Sequence, residues 1–135
     1  MKTDYPVKQL EDIPVMYTSY FGNPAENDAF TRLEEPLTSL QGRRFFGVSW
    51  WGSNEYRACM RIEAEDDPAA LGFETFTLPG GRYAYTKLKG KYEDLIKQIP
   101  GEFKKLSDRC PVDKTRPAIE FYRRHEEFIL YVPVE

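Results

Sequence analysis

Histidine and cysteine are nearly missing from this 135-residue sequence: His125 stands alone, and Cys59 and Cys110 are the only thiols. A nucleophile–histidine–acid set would need His125 in a cleft, but it is expected in a hairpin turn between Arg124 and Glu126, so no triad is suggested. One histidine and two distant cysteines do not make a metal set, and nothing implies a cofactor. The cysteines are expected as free thiols in a reducing cytoplasm. Long apolar runs are also missing, and Met1-Lys2-Thr3-Asp4 carries no apolar signal region, so a soluble cytoplasmic protein without a membrane partner is expected. An excess of positive charge is lacking as well: the net charge is −3. The basic runs 87–91 and 123–125 are short and each is followed by acids. That pattern suits a solvated surface and argues against direct nucleic-acid binding. Gly80-Gly81 follows Pro79 and opens a strand, whereas a phosphate-binding loop opens a helix.

What the sequence has is aromatic surface: nine Tyr, nine Phe and two Trp, 15% of all residues. Aromatics beyond the needs of a core serve pockets and interfaces. Alternation predicts a strand over 6–20, broken near Pro14. Phe30, Leu33, Leu37 and Leu40 predict a helix over 26–40, bent at Pro36. A turn is expected at Gly22-Asn23-Pro24. Residues 43–51 and 56–64 read as a hairpin, and 73–78 lead into the Pro79-Gly80-Gly81 turn. A strand over 82–88 and a helical stripe over 91–107, cut at Pro100-Gly101, follow, then a last hairpin of 117–123 and 128–134. Tyr17-Thr18, three residues, Gly22 recurs as Tyr85-Thr86, three residues, Gly90, each ending a strand. The expectation is one α+β domain over 1–135, built as two strand-helix-strand-strand modules of about 5–64 and 73–135. The modules share an antiparallel sheet, with helices on one face and a ligand groove on the other.

Residues 78–98 (LPGGRYAYTKLKGKYEDLIKQ) and 116–135 (RPAIEFYRRHEEFILYVPVE) resemble the GyrI-like small-molecule-binding family. That family includes the effector-binding domains of AraC-like and MerR-like multidrug-responsive transcription activators. The first half is similar too, through VKQLEDIPVMYTSYFGNP, RRFFGVSW and EYRACMRIE. Pro100-Gly101 departs from the family's continuous second helix. The resemblance implies a carboxylate on the penultimate strand facing an aromatic pocket, and the matching position is Glu120. The matching aromatic positions carry Phe30, Phe46, Tyr56, Tyr92 and Phe128.

Alternation puts Glu120 with Ala118 and Tyr122 on one face of its strand, and Ile119 and Phe121 on the other. By itself this leaves two readings open. Glu120 is either a pocket floor or a surface residue paired with Arg61, Arg116 or Arg123. Phe30 and Tyr92 have their own bland reading as core residues on helical stripes. Of the adjacent Trp50 and Trp51, Trp50 shares a face with Phe46 and Val48 and is the pocket candidate. With the resemblance, a stand-alone module is expected that senses or sequesters flat aromatic or cationic compounds, linked to transcription regulation through a separate DNA-binding chain. Two alternatives follow from it: a hydrolase of cyclopropane-containing genotoxins using Glu120 with Tyr92 or Tyr122, and an interaction module for DNA gyrase.

Overall fold

The computed structural model describes residues 5–22, 26–124 and 126–135. The expected turn at Asn23-Pro24 and the position of His125 fall outside the described residues. The strands are β1 (Val7–Leu10), β2 (Ile13–Phe21), β3 (Phe45–Ser49), β4 (Glu55–Arg61), β5 (Glu74–Leu78), β6 (Gly81–Lys89), β7 (Ala118–Arg124) and β8 (Glu127–Pro133). The helices are α1 (Ala29–Glu34), α2 (Pro68–Leu71) and α3 (Tyr92–Arg109).

All eight strands form one curled antiparallel sheet in the order β1-β6-β8-β7-β3-β4-β2-β5. This is the expected α+β architecture of two tandem modules. Each module, however, sends its leading strand to the other: β1 pairs with β6, and β5 pairs with β2. The seam between modules is β3 against β7. Gly22 and Gly90, which close the Tyr-Thr-x3-Gly repeat, follow the equivalent strands β2 and β6 with φ of +130° and +150°. A residue with a Cβ is strained at such angles.

Three local expectations change. The first strand breaks at Glu11-Asp12, and Pro14 lies inside β2, where its carbonyl accepts from the Ile62 N–H at 3.0 Å. α1 spans 29–34 rather than 26–40. Pro36 has no N–H to extend the helix, and propagation past it would clash. α3, in contrast, runs through Pro100 without a break. Leu95, Ile99 and Leu106 on one stripe are buried against β6 and β8, and that burial outweighs the lost hydrogen bond.

Two cores form on the helix side of the sheet. One joins Ala29 and Leu33 of α1 to Met16, Ala58 and Met60. The other joins α3 to Ala84, Phe128, Leu130 and Val132. The helix-free side has its own core, in which Val15, Phe46, Val48, Ile119, Ile129 and Tyr131 fill the curl of the sheet. The cleft that holds Glu120 is not on that side. α1 covers one module and α3 the other, and the gap between them lies over the seam strands on the helix face.

Candidate functional site

The cleft over the seam has a volume of about 410 Å³. Its floor is Glu120 of β7, with Tyr122 two residues on and Tyr56 from β4. Phe30 lies next to the buried Ala29 on α1, so it projects from that helix's flank into the cleft. Tyr92, Ile96 and Pro100 form the facing flank of α3, one turn apart. Tyr92 and Ile96 are each 39% exposed, which marks them as the mouth. Asn27 and Asn54 add polar edges.

Gly47 makes the floor possible. It is the cross-strand partner of Glu120 on the seam. A Cβ at Gly47 would run into the Tyr56 hydroxyl and lie 2.5 Å from Glu120 Oε1. In the space left open, the Tyr56 hydroxyl donates to Glu120 Oε1 at 2.9 Å, and the Tyr122 hydroxyl donates to the same oxygen. The two phenol oxygens are 3.2 Å apart. Oε2 makes no hydrogen bond to the described residues and is not sealed off, so it faces the cleft. The Phe30 ring meets Tyr122 edge-on at 5.2 Å and Tyr56 at 6.3 Å.

Burial raises the Glu120 carboxyl above the usual range, against the two phenol hydrogen bonds that favour its charge. Burial and the Glu120 charge hold both phenols protonated, well above the ordinary tyrosine value, so they serve as donors. Burial, then Glu34, Glu120 and Glu93, raises Tyr92 as well. The field in the cleft is thus negative. The arginines that could have paired with Glu120 are engaged elsewhere: Arg116 with Asp113 at 3.0 Å and Arg123 with Glu127 at 3.6 Å. Arg61 makes no ion pair with it either.

The structure brings together Glu120, Tyr56, Tyr122, Phe30 and Tyr92. Phe128 stands behind them, 1% exposed, with its ring 4.8 Å from Tyr122 and 5.7 Å from Tyr92. Phe46 and Trp50 are corrected: both lie on the helix-free face. Phe46 stacks on Phe121 at 5.0 Å, and Trp50 packs against Phe76 and Arg57. Trp51 is on the helix side but packs toward Phe103, away from Glu120. Alternation within each strand holds: Phe46, Val48 and Trp50 share one face, and Ile119 and Phe121 lie on that same face. Their mutual register was not available from it, and that register sets Gly47, not Phe46 or Val48, beside Glu120. Among the described residues no three His, Cys, Asp or Glu side chains are grouped to hold a metal ion.

No family model matches the chain, and no curated protein matches it by sequence. Solved structures do. An integron cassette protein from the mobile metagenome of Vibrio cholerae superposes with a TM-score of 0.76 at 12% identity, covering 98% of this chain and 97% of that one. This is the GyrI-like fold. A second GyrI-like structure, SAV2435 bound to tetraphenylphosphonium, matches with a TM-score of 0.62 at 12% identity over 98% of this chain and 94% of its own. A hydrolase from Listeria innocua matches at 0.59 and 12% identity, over 99% and 93%. Among the described residues no helix is long and apolar enough to cross a membrane.

Proposed function

We propose that this chain binds hydrophobic organic cations in the Glu120 cleft, as a sensing or sequestering protein. One observation carries the reading. A desolvated carboxylate with both phenols on Oε1 turns Oε2 toward an aromatic-walled cavity, and no cationic side chain among the described residues neutralises it. A ligand cation would supply the missing charge. Each aromatic face adds about 0.5–2 kcal/mol of cation–π attraction, depending on desolvation. SAV2435, bound to tetraphenylphosphonium on the same fold, supports this ligand class.

Calorimetric titration with tetraphenylphosphonium tests the reading. Glu120→Gln is expected to weaken binding by about 2 kcal/mol, roughly 30-fold, because a buried charge pair loses one partner. Neutral triphenylphosphine oxide should bind both proteins alike. Equal affinity of the cation for wild type and Glu120→Gln would overturn the electrostatic basis of the proposal.

A second reading is hydrolysis, and the free Oε2 favours it too. A carboxylate with a raised pKa and one open oxygen can take a proton from water, with Tyr92 at the mouth of the cleft donating to the substrate. The Listeria hydrolase on the same fold supports this second reading. Product analysis with an activated cyclopropane separates the two readings: unchanged substrate after long incubation at high protein concentration removes hydrolysis of that class.

A further inference from the structure

On the opposite face of the sheet a second cavity, of about 240 Å³, is lined by Lys8, Tyr85, Lys87, Phe121, Arg123, Ile129 and Tyr131. Its charge is the reverse of that in the Glu120 cleft. Lys8 and Lys87 make no ion pair with the described residues, and Arg123 reaches only Glu127, at 3.6 Å. Its base is apolar and aromatic: Ile129 and Tyr131 are each 6% exposed, and the Tyr85 and Tyr131 rings are 5.9 Å apart.

The other module shows what such a place holds. Tyr17 pairs with Cys59 as Tyr85 pairs with Tyr131. Equating the two tyrosines makes Arg57 the counterpart of Ile129. Through the β3–β4, β7–β8, β2–β5 and β1–β6 registers it also makes Trp50 the counterpart of Arg123, and Phe76 that of Lys8. In the first module the centre is filled. The Arg57 guanidinium lies 4.2 Å from the Tyr17 ring and 4.7 Å from the Trp50 and Phe76 rings. Glu55 holds it at 2.8 Å. In the second module the arrangement is inverted. The centre is a short apolar Ile129, Lys8 and Arg123 carry cations where the first module has rings, and Lys87 adds a third cation at the counterpart of Ser19. Such a frame suits a flat apolar body that carries a negative charge.

We infer that the Lys8–Lys87–Arg123 cavity is a second ligand site, which takes flat aromatic anions. The ring lies over Ile129 between Tyr85, Phe121 and Tyr131, and the anionic group meets the three cations. The inference is independent of the Glu120 reading, because the two cavities are on opposite faces and share no lining residue.

The test is titration of 15N-labelled protein with 2-naphthoate, with neutral 2-naphthamide as control. Naphthoate should shift the amides of 85–87 and 129–131 and bind more weakly as salt rises. Lys8→Gln and Lys87→Gln, both surface changes that leave the folded spectrum intact, should each weaken it about two- to fivefold. Glu120→Gln and saturating tetraphenylphosphonium should leave naphthoate binding unchanged. Four outcomes would overturn the inference: no binding at millimolar naphthoate, equal binding of naphthamide, unchanged affinity in both lysine variants, or shifts confined to the Glu120 cleft.

Discussion

Glu120 is kept in a position that works against its own charge. Burial raises its pKa in the folded protein above that of the unfolded chain. The folded state then holds the proton more tightly, so stability from this group is full below the ordinary carboxylate pKa and is lost as pH rises through the raised value. Glu120→Gln, which can still accept from both phenols, is expected to raise the melting temperature at neutral pH and to match wild type in acid. Thermal melts of the two proteins across pH check this. Cation binding has the opposite sign. It needs the ionised form, so tetraphenylphosphonium affinity should fall as pH falls through the raised pKa, while Glu120→Gln should show no such dependence. Gly47 is the other residue on which the floor depends. Gly47→Ala should cost about 1–3 kcal/mol by overpacking and abolish cation binding, as read by urea unfolding and calorimetry. Glu120 was legible in the sequence because a strand alternates and Tyr122 shares its face. Gly47 was not, since a glycine in a strand announces a close approach without saying to what.

At the scale of elements, the cleft exists because its two walls differ. α1 stops after six residues and covers only its own module, while α3 runs for eighteen. Pro36 and Pro100 carry the same local signal in the sequence, yet one lies beyond a helix end and the other lies within a helix. What separates them is tertiary: the Leu95, Ile99 and Leu106 stripe spans the proline and is buried on both sides of it. Pro100 still removes the hydrogen bond to the Ile96 carbonyl, on the flank that faces the cleft. Pro100→Ala should therefore raise stability by about 1–3 kcal/mol, measured by urea unfolding. The same change should alter cation affinity, because Ile96 and Tyr92 sit one and two turns before it. The order of the longer elements was legible from periodicity and turns, whereas the one-turn α2 is too short to show a period. The transfer of β1 and β5 to the opposite module was not, since two short leading strands look alike wherever they pair.

The whole molecule is tied together by that transfer. Removing residues 1–10 takes a strand from β6, in the second module, rather than from the first. Hydrogen exchange of such a truncation should show lost protection at 81–85 while β2 and β4 stay protected; loss centred on β2 would contradict the topology. The pairing also bears on how the site came to be lopsided. Two copies of a single module could trade leading strands and close the same eight-stranded sheet as a two-fold dimer. The axis of that dimer would pass through the seam where Gly47 faces Glu120, because these two positions are each other's counterparts. A true dimer would have to place two carboxylates there, repelling each other, or two glycines with no charge to offer. Joining the halves in one chain breaks that tie, and it allows one carboxylate to sit in the space that its own twin position has given up.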